Sequence, residues 1–358
     1  MGCKKHPVAL KTHEFARLEV RDDDDLRPRQ LLRLVCLADA GDDLTRPEFA
    51  QVKLKPDELL GTFHTFSGGD GRNAQFQIFE FFVGGHGFCY HTRMPGKIKI
   101  TFLGTGPSGR IPRPGCSRPS CRDARKRGSR SRRLQSSVLI QYNSDAVLFD
   151  ATQDISKQWT LAKGLKKLSA LFISHPHADA MGGVPQLESV LKRIGQPHLY
   201  LFAEPETLAR INVEFKMPEH VTPYDTAPGQ RIAIGPFTVV PFRVEHTHQK
   251  EYPTIGFHIR VSDTRIVLMT DVKSVDRWTL QSLKNPDILI MDCAIFEDRF
   301  PSHVNFKEAR AISGRIGAKR TILTQIGVTW PPYPQARSIV RKTEPHMDIS
   351  HDGLVIYL

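Results

Sequence analysis

Long apolar runs are missing from this chain of 358 residues, and none is long enough to span a bilayer. Nor is there an apolar stretch near the N-terminus that would serve as a secretory signal. The six cysteines (Cys3, Cys36, Cys89, Cys116, Cys121 and Cys293) are scattered, which argues against a disulfide framework and for a reducing compartment. A cytoplasmic protein with no membrane partner is therefore expected. Met1-Gly2-Cys3 hints at N-terminal lipidation, but His6 stands where the myristoylation pattern wants Ser or Thr. Acid is the other scarcity, and it is local. Between Arg118 and Arg133 eight Lys or Arg face one acid, Asp123, so this window carries +7 of the formal net charge of +12. A basic loop of this density attracts phosphates and RNA, although most of its arginines are expected to be solvated.

Residues 1–96 show no repeat and no catalytic motif. QLLRLVCLADA suits a short helix or a buried strand, and the aromatic-rich QFQIFEFFVGGHGFCYH suits strand interrupted by glycines. This part is expected to be an N-terminal extension or small appended domain of unknown function. From residue 97 the texture changes. KIKITFLGTG alternates as a strand does and ends in Gly104-Thr105-Gly106. SSVLIQY and AVLFDA read as a hairpin around Asn143-Ser144-Asp145, WTLAKGLKKL has helical spacing, and HLYLFA followed by PETLARINVEF reads as strand then helix. RIAIGPFTVVPFRVEH, GFHIRVSD, RIVLMTD and DILIMDC continue as strands, KEARAISGRIG as a helix, and TILTQIG and GLVIYL as closing strands. Paired strands, a central βα unit, a second strand set and a closing βα unit predict a layered α/β fold over 97–358.

The chain is organised around LFISHPHADAMGG, residues 171–183. An apolar strand delivers His175, His177 and Asp179 at alternating positions, and Gly182-Gly183 then opens a helix. Two imidazoles and a carboxylate on one strand-to-helix loop can converge on a point, and they are the donors a divalent first-row metal prefers.

This loop resembles the second motif of the metallo-β-lactamase fold, H-x-H-x-D-H, with Ala180 in place of the last histidine. Eight further segments match in order: FLGTGPSGRIPRPGC, RSRRLQSSVLI, VLFDA, MTDV, LIMDC, SHVNFKEA, ILTQIG and SHDGLVI. Together they resemble the branch that contains phosphoribosyl cyclic phosphate phosphodiesterase and similar eukaryotic hydrolases. The resemblance implies a four-layer αββα sandwich with metal ligands along one sheet edge. It assigns His175, His177 and His246 to the first metal, with His248 as a competitor for His246. Asp271 becomes the bridging carboxylate, and Asp150 a residue that orients the metal loop by hydrogen bonds. Asp179 is then free to act as a general base, and His303 as a general acid. Backbone N–H groups at Gly104, Thr105 and Gly106, with Arg132 or Arg133, are expected to hold substrate phosphate.

Two departures bear on the metal count. In dinuclear relatives the second ion uses the loop histidine and a late histidine, and here Ala180 and Gln325 stand in their places. One tightly bound ion is therefore expected, zinc first with manganese or iron as alternatives, and a second site weak or absent. A structural zinc site in the bacterial phosphodiesterase also lacks two ligands here. Cys116 and Cys121 remain, while Arg118 and Val328 replace the others, so no structural zinc is expected.

The leading expectation is thus a metal-dependent hydrolase of a small phosphodiester, a cyclic phosphate or nucleotide. One alternative is a tRNase Z-like nuclease that uses the 118–133 loop for RNA. Another is a degenerate, non-catalytic binding or scaffold protein. The oligomeric state is open, a homodimer included.

Overall fold

A computed structural model describes residues 97–247 and 252–358, and before them only the backbone of five strands. The chain divides into two units, Met1–Pro95 and Gly96–Leu358. In the first, β1 (Arg17–Val20) pairs antiparallel with β2 (Leu32–Val35), so part of QLLRLVCLADA is strand. A three-stranded antiparallel sheet follows, built from β3 (Leu60–Ser67), β4 (Gln75–Val83) and β5 (His86–Arg93).

The second unit is two seven-stranded sheets packed face to face. The first contains β6 (Ile98–Gly104), β7 (Ser137–Tyr142), β8 (Asp145–Phe149), β9 (Ala170–Phe172), β10 (Leu199–Ala203), β11 (Val221–Asp225) and the C-terminal β19 (Val355–Tyr357). Its spatial order is β11-β10-β9-β8-β7-β6-β19. The second runs in chain order through β12 (Ile232–Ile234), β13 (Phe237–Val244), β14 (Thr254–Val261), β15 (Thr264–Met269), β16 (Ile288–Asp292), β17 (Thr321–Thr324) and β18 (Met347–Ile349).

Alternation along each strand explains the layering. Val138 and Ile140 of β7 and Val147 and Phe149 of β8 enter the core between the sheets. Leu139 and Leu148, one residue out of phase, enter a second core on the outer face. In the other sheet Ile288 and Ile290 face inward while Leu289 and Met291 face a third core. Strands buried on both faces read as continuous apolar runs, which is how VLIQY, AVLF and ILIMD look in the sequence. The outer core of the first sheet is closed by α2 (Ile155–Gln158), α3 (Ala178–Met181), α4 (Leu187–Arg193) and α5 (Pro205–Phe215); α1 (Pro119–Ala124) precedes them in the chain. That of the second sheet is closed by α6 (Arg277–Ser282), α7 (Phe306–Ile316) and α8 (Tyr333–Thr343). The result is the expected αββα sandwich.

One local expectation needs correction, and another gains a detail. WTLAKGLKKL is helical only as a single turn at Trp159–Leu161. Gly164 takes φ +74°, a left-handed conformation that no α-helix continues through, and Leu168 turns into the outer core. A four-residue α3 already stands between His177 and Gly182-Gly183, and the pair then opens the next helical segment, a tight turn at Val184–Gln186 that runs into α4. A Cβ on Gly183 would lie 2.1 Å from the Thr152 carbonyl oxygen, so the glycine lets the loop close against the turn that follows β8.

Candidate metal centre

Parallel pairing brings strand ends together. β8 and β9 are parallel, as are β15, β16 and β17, and β13 runs the same way as β15 with the antiparallel β14 between them. Residues just past these strands therefore collect at one edge of each sheet. The Ile255 amide of β14 donates to the Ser174 carbonyl at 3.0 Å and ties the two edges together.

At that edge three imidazoles surround one point. Ligand atoms of His175, His177 and His246 all lie within 4.8 Å of one another, with ring centroids 4.7, 5.3 and 5.5 Å apart. His246, Asp271 and His303 form a second such group that shares His246. Hydrogen bonds fix the ring faces. His246 Nδ1 donates to the Ser302 carbonyl at 2.8 Å, which leaves Nε2 as a lone-pair donor toward the centre. His175 Nδ1 meets the Ser174 hydroxyl at 2.8 Å. Its Nε2 is buried with no hydrogen-bond partner among the described residues. A buried imidazole nitrogen is rarely left so, and here it faces the other two rings.

Charge supports the same reading. Burial lowers His175 to about 3, and burial followed by the His246 charge lowers His177, so both are neutral, as ligation requires. Burial would raise Asp271, but His175, His246 and His303 hold its carboxyl below the usual range. Burial pushes Asp150 up to about 8, and burial followed by the Asp271 charge raises Asp179. Neighbouring carboxyls that hinder one another's ionisation, beside neutral imidazoles, make a donor set suited to a divalent cation. Zinc, manganese and iron all fit this set.

The remaining expected residues fall out unevenly. Asp150, at φ +64° after β8, accepts from the Ser174 amide at 2.8 Å and from Thr270 Oγ1 at 3.3 Å, and so braces both the histidine loop and the end of β15. Asp179 is half-buried on α3 and lies outside both convergent groups. Ala180 is buried in the outer core beside Met181 and Val184. Gln325, at φ +59°, donates through Nε2 to Asp271 Oδ1 at 2.7 Å. His248 lies outside the described residues. Cys116 and Cys121 sit with Ile111, Ala124 and Val328 in a small apolar cluster.

The phosphate cradle is corrected. The Thr105 and Gly106 amides both donate to the Leu134 carbonyl, at 3.2 and 2.7 Å, and are closed to a ligand. Gly104 is buried, where a Cβ would lie 1.9 Å from the Gln135 carbonyl oxygen. Arg133 is buried too, its Nη1 donating to Thr105 Oγ1 at 2.7 Å and to the Ser350 carbonyl at 2.8 Å. These groups join β6 to the chain's last segment, and their hydrogen bonds are made within the chain. Arg132 is exposed, with Nε 3.3 Å from the Ala124 carbonyl.

Asp292 was missed as a site residue. It ends β16 in LIMD as Asp150 ends VLFD and Asp271 follows LMT, a recurrence of strand-ending aspartates that gave the available signal. Its Oδ2 accepts from His303 Nδ1 at 2.7 Å and from the Val272 amide at 3.0 Å. Burial holds Asp292 above its ordinary range. Burial would lower His303, but the Asp292 charge and hydrogen bond raise it to about 9. Both shifts mean that the pair retains a proton between them. Two aromatic rings flank the centre without any motif to announce them: Tyr252, 4.9 Å from the His177 ring, and the exposed Phe300, 5.9 Å from His303.

Comparison with known proteins agrees with the fold. The family described as Beta-lactamase superfamily domain matches residues 145–326, about half of the chain. The chain therefore belongs to the beta-lactamase superfamily and has the metallo-β-lactamase fold. An octanoyltransferase of Porphyromonas gingivalis is 24% identical over 267 residues, 72% of this chain and 51% of that protein. A ribonuclease Z of Methanosarcina mazei is 25% identical over 169 residues, 45% of this chain and 48% of the relative. The chain thus spans about half the length of these curated relatives. Among solved structures, a diphosphatase from the PhnP family superposes with a TM-score of 0.64 at 26% identity, covering 74% of this chain and 98% of that one.

Proposed function

We propose that the protein is a metal-dependent hydrolase of a small phosphodiester. The observation that carries this reading is the convergence of His175, His177 and His246 beside a hydrogen-bonded Asp292–His303 pair. Similarity to a diphosphatase along nearly its whole length supports the substrate class. His175, His177, His246 and Asp271 would hold the ion. When bound there, it supplies Lewis acidity toward a phosphoryl oxygen and brings the ionisation of water toward neutral pH.

The chain's own residues do the rest. Gln325 fixes the Asp271 carboxylate, and Asp150 fixes the loop that carries His175 and His177. Asp179, on the half-buried face of α3, orients the attacking water as general base. His303 is held by Asp292 through Nδ1, which leaves Nε2 to give a proton to the departing oxygen. With Ala180 in the outer core and Gln325 bonded to Asp271, a second ion has fewer donors, and one tight ion per chain is the reading we favour.

A nuclease acting on RNA is the second reading, favoured by the ribonuclease Z relative and the basic 118–133 segment. Assay of the purified chain against cyclic phosphates, linear dinucleotides and a structured RNA, with metal content measured in parallel, tests both. Turnover of the small diesters supports the first reading, and turnover of RNA alone supports the second. A metal-loaded protein that cleaves none of them would leave a non-catalytic binding or scaffold role.

A further inference from the structure

Away from the metal centre, the basic window and α8 enclose a groove of about 640 Å³ that shares no residue with the histidine cluster. Lys126, Arg127 and Arg130 line one wall, Arg337 and Arg341 the other, and Tyr333 lies among them. The walls are tied together, since the Tyr333 amide donates to Ser131 Oγ at 2.9 Å. Arg130 stands over the Tyr333 ring at 5.7 Å, and Gly128, at φ +73°, turns the loop between Arg127 and Arg130.

Two carboxylates face these five cations. Asp123 accepts from Ser131 Oγ at 2.7 Å, from Ser129 Oγ at 2.8 Å and from Lys126 Nζ at 3.1 Å. Asp348 is shared by Arg337, at 3.0 Å, and Arg341, also at 3.0 Å. Arg127 and Arg130 have no carboxylate partner among the described residues, so the groove carries surplus positive charge. Arg337 and Arg341 are one helical turn apart, roughly 6 Å along α8. Cations in rows on two opposed walls suit a series of anions better than a single one, and guanidinium forks suit phosphate.

We propose that this groove binds successive phosphate groups, as a single-stranded RNA segment or a nucleoside triphosphate carries them. The proposal does not depend on catalysis at the metal centre, because binding is read directly. The volume lies within the range of small-ligand sites, and the buried Tyr333, with Arg130 over its ring, braces the basic wall against α8.

The test is fluorescence anisotropy of the full chain with a labelled oligouridylate, alongside calorimetry with ATP and an oligoglutamate peptide as a non-phosphate polyanion. Saturable binding of either phosphate probe at low salt is expected, tighter than the peptide. RNA binding alone identifies a strand site, and ATP binding at least as tight identifies a free polyphosphate site. The double variant Arg127→Glu/Arg130→Glu should weaken the bound probe tenfold or more. For RNA it should also flatten the salt slope by about 1.4, the share of two cations on a single strand. A separate Arg341→Glu variant should weaken binding from the opposite wall. Melting temperature and metal content report whether each variant is folded. Absence of binding by both phosphate probes, tighter peptide binding, or unchanged affinity in folded variants of both walls would overturn the proposal.

Discussion

The Asp292 carboxylate holds His303 by its Nδ1 at 2.7 Å, so the ring's Nε2 faces the three-histidine cluster whose member His246 lies 4.8 Å away, centroid to centroid. An imidazole held this way can ligate through Nε2 or donate a proton from it, and substitution separates the two. His303→Ala should leave the metal in place and lower turnover of diesters with poor leaving groups by roughly a hundred- to ten-thousand-fold. Diesters of p-nitrophenol should lose far less, because that leaving group scarcely needs a proton. Asp292→Asn should shift the rates in the same direction. Equal losses on both substrate classes would contradict the general-acid role, and loss of metal would make His303 a ligand.

Gln325 bears on affinity rather than chemistry. Its Nε2 donates to Asp271 Oδ1 at 2.7 Å, and removing such a partner of a ligating carboxylate typically weakens metal binding ten- to a hundredfold. Gln325→Ala should raise the metal dissociation constant by that factor in a competition titration with a chelator. An unchanged constant would mean that Asp271 is held without it.

Arg133 is expected to matter for stability. Its guanidinium is buried against Thr105 and Ser350, with the Asp352 carboxylate also bonded to Thr105 Oγ1 at 2.7 Å. Arg133→Ala should lower the unfolding free energy by roughly 3 kcal/mol, as breaking a buried charged network does. Denaturant titration checks this. A rise in KM with stability unchanged would return Arg133 to the substrate.

Asp348 gives a pH dependence with a definite sign. Burial would raise its carboxyl, but hydrogen bonds from Arg337 and the Ile349 amide, with the nearby Arg341 charge, hold it below the carboxylate range. A depressed folded value contributes stability above the unfolded value, near pH 4, and loses it as pH falls through the folded one. Asp348→Asn should therefore melt below the parent at pH 7, and the gap should narrow below about pH 4. Half-exposed guanidiniums keep the effect small. A gap equal at pH 7 and pH 3 would contradict the assignment.

Strands and histidines were legible because their signals are local. Continuous apolar runs such as ILIMD report burial on two faces, and H-x-H after LFIS reports a loop at a strand end. The N–H groups of Thr105 and Gly106 misled because their acceptor, the Leu134 carbonyl, lies some thirty residues along the chain. Arg133 misled for a similar reason: nothing in a run of arginines marks the one that turns inward. Helix α8 escaped notice because PPYPQARSIVRKT opens on prolines, which favour a helix's first turn but look like a break when read alone. Asp292 took on a role only when β16 and the loop carrying His303 met in space.

Metal dependence is the centre of the account, and a single titration tests it. The protein is stripped with a chelator, metal content is measured, and hydrolysis of a p-nitrophenyl phosphodiester is followed as zinc or manganese is returned in steps. Activity should vanish in the stripped protein and rise linearly to a plateau near one ion per chain, with His177→Ala neither binding the ion tightly nor recovering. Hydrolysis that survives stripping, or a fully loaded chain inactive on every diester, would contradict it.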